Sequence, residues 1–309
     1  MTTQLSVKDL SKAEWLRLRK EGIGGSDAGA VCGMNPYRSA MDVFCDKVSA
    51  EVEETDNEAM RQGRDLEDYV ARRFMEATGL KVRRSNVMYR NREYPFMLAD
   101  VDRLVVGERA GLECKTASAY SADKWKDGRI PAHYEIQCHH YMAVMGLDAW
   151  YLAVVILGRG FQYIKIERDK ELIRNLVQIE TDFWNDHVLA GVMPEPDGSR
   201  ACEEILRQYY PAANRETLQL PPSFNERLER RESLLEMIER FQAEQRQIEQ
   251  EIKLYMKDGQ EAVNDRYRVT WSDVESARLD VRRLKEEKPE VYQEFAKKTS
   301  SRRFTVRAA

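Results

Sequence analysis

The stretch LADVDRLVV, residues 98–106, and the GLECKT that follows at residues 111–116 decide how this chain is read. Each is an apolar run of strand length carrying charge that a buried strand tolerates only for a reason: Asp102 in the first, Glu113 and Lys115 in the second. Side chains alternate across a strand, so Glu113 and Lys115 share one face while Cys114 points into the core. If the two runs pair in register, Asp102 joins them on the same edge. Two carboxylates and an amine there suit a hard divalent cation and an activated water. Asp102 and Glu113 are the expected ligands for Mg2+ or Mn2+, assisted by the Cys114 backbone carbonyl. Lys115 then orients or deprotonates the water that attacks a phosphate.

Composition limits what can surround that edge. A chain of 309 residues has room for one large domain, or a medium domain and a small one. Charged residues make up 33% of it, yet the net charge is only -4, a sum that does not advertise nucleic acid but hides local patches. The five cysteines, Cys32, Cys45, Cys114, Cys138 and Cys202, show neither CxxC nor zinc-like spacing, the pattern of reduced thiols. No apolar run is long enough to span a bilayer, and the first residues lack a signal-peptide pattern. A soluble, cytoplasmic protein without membrane contact is therefore expected.

Upstream of the charged runs, Lys12 to Lys20 reads as an amphipathic helix bearing Trp15 and Arg19 and ending at Gly22. The glycine-rich turn after it leads into a helix with Ser26 or Asp27 as N-cap. This is first an ordinary capped helix; the Ser26 hydroxyl and Arg19 guanidinium also suit a phosphate, though no Walker loop is present. Ser39 to Val48 reads as a short helix, Glu51 to Glu58 as an acidic linker, and the segment from Glu58 to Gly79 as a long helix carrying Glu67, by default a solvated carboxylate. Lys81 to Tyr89 reads as one strand.

Downstream, residues 117–127 interleave Tyr120, Lys124, Trp125 and Lys126, which fits a nucleic-acid groove or a surface loop anchored by one tryptophan. The helix from Ala132 to Gly146 carries Tyr134, Gln137 and Tyr141 on one face. Its adjacent His139 and His140 cannot both face one metal and read as structural or solvent-facing. Ala149 to Leu157 is a buried strand, Gln162 to Ile166 its hairpin partner, and Lys170 to Ala190 a helix closed by Gly191. This order describes an α/β (α+β) fold with a mixed sheet flanked by helices.

Composition shifts after Pro211. Phe224 to Tyr255 reads as a long helix whose Leu234, Ile238, Phe241, Gln245, Ile248, Ile252 and Tyr255 form a heptad seam for a partner helix or another subunit. A strand around Tyr267 to Trp271, a helix from Asp280 to Lys298 broken by Pro289, and a final strand at residues 302–307 follow. Residues 278–309 hold ten Lys or Arg against five Asp or Glu, a basic tail suited to DNA or an acidic partner. The expected division is a domain at 1–212 and an extension at 213–309.

Taken in order, Trp15 to Arg19 with Ser26, Gly63 with Glu67, Asp102, Glu113-Cys-Lys115, and Tyr134 to Gln137 with Tyr141 resemble the phage-type alkaline exonucleases. These form the lambda exonuclease and YqaJ-like viral recombinase family of the PD-(D/E)xK nucleases. The likeness runs from Trp15 to about Asp197, and Pro289 to Tyr292 with Arg302 to Phe304 resemble longer YqaJ-like members. The resemblance implies a restriction-endonuclease-like core and an enzyme that processively digests one strand of linear double-stranded DNA from its 5′ end. The 3′ overhang passes to a RecT/Bet-like single-strand annealing protein during phage recombination in a bacterial cytoplasm. By the same resemblance Glu67 is a further acidic group at the metal site, Arg19 and Ser26 hold the 5′ phosphate, and Gln137 belongs to the active-site helix beside Tyr134 and Tyr141. Relatives form toroidal oligomers, which implies a trimer. The chain departs from the family at Val101, where a proline is usual. The rival readings are an endonuclease or repair nuclease on the same core, and a non-catalytic DNA-binding or assembly protein.

Overall fold

The computed structural model describes residues 2–51, 57–214, 216–298 and 301–307, so most of the expected acidic linker lies outside the described residues. The chain divides into two units, Met1–Tyr210 and Pro211–Ala309. The first unit opens with β1 (Thr2–Ser6), α1 (Lys12–Lys20), α2 (Gly25–Val31), α3 (Ala40–Val48) and α4 (Glu58–Thr78). Then come β2 (Val82–Arg84), β3 (Val87–Asn91), β4 (Leu98–Asp100), β5 (Arg103–Val105) and β6 (Ala110–Ala117). A 3-10 segment (Ala119–Gly128) leads to α5 (Ala132–Met145), β7 (Ala149–Ile156), β8 (Gly160–Glu167), α6 (Lys170–Phe183) and α7 (Arg200–Tyr209).

Local chemistry explains the helix ends. Ser11 caps α1 by accepting the Glu14 N–H while the Glu14 carboxylate returns to the Ser11 backbone, and α4 stops at Gly79, whose φ of 73° is left-handed. The cap of α2 differs from expectation: Gly24 is the N-cap, and Asp27 lies inside the helix with its carboxylate turned back to the Gly24 N–H. The helix expected from Lys170 to Ala190 winds as α only to Phe183 and then as a π segment, Trp184–Leu189.

A five-stranded sheet in the order β2-β5-β6-β7-β8 is antiparallel throughout except for β6 and β7, which run parallel from Ala110 opposite Ala149 to Ala117 opposite Ile156. A three-stranded antiparallel sheet, β1-β3-β4, lies apart from it. Two runs that read as single strands are therefore divided. Residues 81–89 split into β2 and β3, and residues 98–106 into β4 and β5, because each half hydrogen-bonds in a different sheet.

β7 is buried along its whole length, and its alternation sorts the core. Trp150, Leu152, Val154 and Ile156 pack with α5 residues such as Met142, while Ala149, Tyr151, Ala153 and Val155 pack with Val70, Ala71 and Phe74 of α4. Burying each large apolar side chain contributes about 1.5–3 kcal/mol, so the two layers clamp α4 and α5 onto opposite faces of the sheet.

The second unit holds α8 (Ser223–Met256), the hairpin β9 (Glu261–Val263) and β10 (Arg268–Thr270), α9 (Val281–Glu287) and α10 (Pro289–Phe295). The expected heptad seam on α8 is solvent-facing, with Phe241 69% and Ile248 52% exposed. The expected strand at 302–307 does not form, since the only sheet of this unit among the described residues is the two-stranded β10-β9. Among the described residues no helix is long and apolar enough to cross a membrane.

Candidate active site

The step from β4 to β5 makes the site. Val101 and Asp102 carry the chain from the three-stranded sheet to the five-stranded one. Arg103 pairs with Leu112, which sets Asp102 level with Glu113, and Asp102 Oδ2 accepts the Cys114 N–H at 2.8 Å. On β6, Ala110, Leu112 and Cys114 pack on the α4 side, leaving Glu113 and Lys115 to face α5. From α5, Gln137 Nε2 donates to Glu113 Oε1 at 2.8 Å and to the Tyr141 hydroxyl at 2.9 Å. Lys115 Nζ donates to the same Glu113 oxygen at 2.5 Å and lies 4.8 Å from the centre of the Tyr134 ring.

Charge is concentrated here among buried and half-buried side chains. Glu113 is 3% exposed, and its Oε2 is buried with no hydrogen-bond partner among the described residues. Burial, then the Glu113 carboxylate, holds the Asp102 carboxyl well above the usual range against the pull of Lys115. Burial likewise raises Glu113, opposed by Lys115 and Gln137. For Lys115 burial favours the neutral amine, but Glu113 and Asp102 together outweigh it and keep the amine protonated.

The opposite end of the site is basic. Arg19 Nη2 donates to Ser26 Oγ at 2.8 Å, and its guanidinium lies 4.9 Å from the centre of the Trp15 ring. Trp15 Nε1 donates to Asp100 Oδ2 at 2.7 Å. A cavity of about 210 Å³ joins the two ends, walled by Trp15, Arg19 and Ser26 on one side and by Asp100, Asp102, Glu113, Gln137 and Tyr141 on the other. Lys115 reaches this cavity through its bond to Glu113, and Tyr134 lies against Lys115.

Glu67, the expected further acidic group, is bonded to an arginine beside the site. Its Oε1 accepts from Arg103 Nη1, which also donates to the Asp102 carbonyl at 2.6 Å, while Arg103 Nη2 holds Asp68 at 2.6 Å. Arg103 is 4% exposed, and the charge of Glu67 raises both Asp102 and Glu113. Among the described residues no group of three or more His, Cys, Asp or Glu is disposed to hold a metal.

Asp100 and Arg103 were not singled out from the sequence, though a signal was available. Both lie within the quoted run, and Asp100 alternates with Asp102. His139 and His140 are both buried, His140 in a hydrogen-bonded pair with Glu180 that nothing in the linear sequence marks.

The model of the YqaJ-like viral recombinase domain matches residues 14–148. The uncharacterized protein YqaJ of Bacillus subtilis strain 168 is 40% identical over 303 residues, covering 97% of this chain and 95% of the relative. Among solved structures, LHK-Exo in complex with dAMP superposes with a TM-score of 0.51 at 20% identity, over 64% of this chain and 97% of that one. A second structure of that alkaline exonuclease, from Laribacter hongkongensis, gives 0.49 at 20% identity, over 65% and 99%. At this identity the first likeness shows the fold, a mixed sheet flanked by helices.

Proposed function

The chain belongs to the YqaJ-like viral recombinase family, and from that premise we propose that it is a Mg2+-dependent 5′-to-3′ exonuclease that digests one strand of linear double-stranded DNA. The observation that carries this reading is the single cavity linking Arg19 and Ser26 to Asp102 and Glu113. A terminal phosphate at the basic end gains charge-assisted hydrogen bonds from the guanidinium and the hydroxyl. The next phosphodiester along the strand then meets the acidic end, as end-processing requires and internal cutting does not.

The acidic end fits a divalent cation. Two carboxylates stand beside one ammonium, which bonds Glu113, and Glu113 Oε2 is buried without a hydrogen-bond partner among the described residues. Asp102, Glu113 and the Cys114 carbonyl would hold Mg2+, or Mn2+ in its place, which supplies an acidified water and stabilises charge on the phosphate. Around it Gln137 fixes the Glu113 carboxylate, Tyr141 backs Gln137, and the Lys115 ammonium orients the water rather than taking its proton. Tyr134 covers Lys115. Glu67, held by Arg103, supplies the further acidic group at the metal site. The family supports a recombination role in which the 3′ overhang is passed to a single-strand annealing protein.

The test is digestion of linear duplexes with 5′-phosphate, 5′-hydroxyl and 3′-labelled ends, with Mg2+ and with chelator. Chelation, Asp102→Asn or Glu113→Gln should each slow hydrolysis by about 10³-fold or more, several kcal/mol of lost transition-state stabilisation. Arg19→Ala should slow 5′-phosphorylated ends far more than any nicking of circles. Nicking of closed circles at the rate of linear ends would overturn the exonuclease reading, and binding without hydrolysis would leave a DNA-binding protein.

A further inference from the structure

Beneath the cavity's basic end lies a buried ion-pair cluster that touches none of the reacting groups. Asp27 on α2 has no exposed surface, and the Lys47 side chain on α3 is 1% exposed. Lys47 Nζ donates to Asp27 Oδ2 at 2.8 Å and to the Arg19 carbonyl at 2.8 Å. The same Asp27 oxygen accepts the Gly24 N–H at 3.1 Å, and Oδ1 accepts from Arg38, whose other terminal nitrogen reaches Asp46 Oδ2 at 3.3 Å. One charge pair therefore grips both ends of the turn between Arg19 and Gly24. Ser26 follows at the start of α2, and the Arg19 side chain reaches back across that turn to its hydroxyl.

Energetics argue that stability alone does not account for this pair. Taking an ammonium and a carboxylate out of water costs several kcal/mol per ion, and well-packed apolar replacements of such pairs are often neutral or stabilising. What an apolar pair cannot supply is direction. Lys47 and Asp27 fix a carbonyl and an amide at hydrogen-bond distance, and with them the spacing between guanidinium and hydroxyl.

We propose that Asp27 and Lys47 are positioning residues for end recognition: without touching the substrate, they hold Arg19 and Ser26 at the separation that binds a terminal phosphate monoester. This rests on the reading of Arg19 and Ser26 as the phosphate pocket. Arg38 and Asp46 complete the cluster by balancing the second Asp27 oxygen.

The test is the ratio of digestion rates on 5′-phosphate and 5′-hydroxyl duplex ends, with KM and kcat measured separately, in Lys47→Met and in the charge-neutral double variant Asp27→Asn/Lys47→Met. The second variant leaves no carboxylate buried without its lysine and serves if the first does not fold; thermal melting reports which are folded. In a variant that melts cooperatively the ratio should fall about 10-fold or more through a raised KM for phosphorylated ends, the scale of a lost charged hydrogen bond. Lys47→Arg, which can still bond both partners, should keep most of the preference. A folded variant with an unchanged ratio overturns the inference. Arg19→Ala separates the two claims: if it leaves the ratio intact the pocket itself is misread, whereas collapse there with no change at Lys47 sinks only the positioning role.

Discussion

Gly111 sits so close to Trp150 that a Cβ at this position would lie 2.3 Å from the ring. It occupies the same face of β6 as Glu113 and Lys115, two and four residues on, so the absence of a side chain lets Trp150 fill the layer beside the charged groups. Gly111→Ala should destabilise the first unit by about 1–3 kcal/mol, the usual range for overpacking, as read by urea denaturation. A wild-type midpoint would show that Trp150 can move. At this scale the sequence was readable wherever the rule is local. Glu113 and Lys115 share a face because strand geometry demands it, but Glu67 and Arg103 meet only because α4 lies against the sheet.

Among the elements, α5 binds the site together. One face presents Tyr134, Gln137 and Tyr141, and another buries His140, whose Nδ1 meets Glu180 Oε1 of α6 and whose Nε2 meets the Leu98 carbonyl of β4, both at 2.8 Å. The Leu98 carbonyl only accepts, so Nε2 donates; opposite an ionised Glu180, Nδ1 donates as well, as in an imidazolium. Burial lowers its pKa, but Glu180, the Leu98 carbonyl and the more distant Asp27 carboxylate outweigh that and raise it above the ordinary value. Burial also raises Glu180, against His140, so both shifts make the folded state hold more protons. The histidine's share of this stability is then fully present below about pH 6.5 and is lost as pH rises through its raised pKa. Urea midpoints measured upward from pH 6.5 should fall in the wild type and fall less in His140→Gln. Parallel slopes would remove the pair from the account.

For the whole molecule, the two units differ in kind. The first carries two apolar layers and the whole cavity; in the second, α8 is exposed along most of its length. A fragment ending at Tyr210 should melt cooperatively and keep metal-dependent hydrolysis of short duplexes. An insoluble or non-cooperative fragment would argue against a boundary there.

By itself the sequence determined most of the helices but not α7, and it determined the buried β7, the shared face of Glu113 and Lys115, and the order of motifs that marks the family. These depend on alternation, helical spacing and capping, which operate over a few residues. Tertiary structure alone decided that residues 98–106 divide between two sheets, leaving Asp102 at the step, and that Glu67 turns to Arg103. It also decided that Asp27 and Lys47 close beneath Arg19. The partners in these last contacts stand 36 and 20 residues apart in the chain. No periodicity encodes such meetings, because the packing of α4, α2 and α3 creates them.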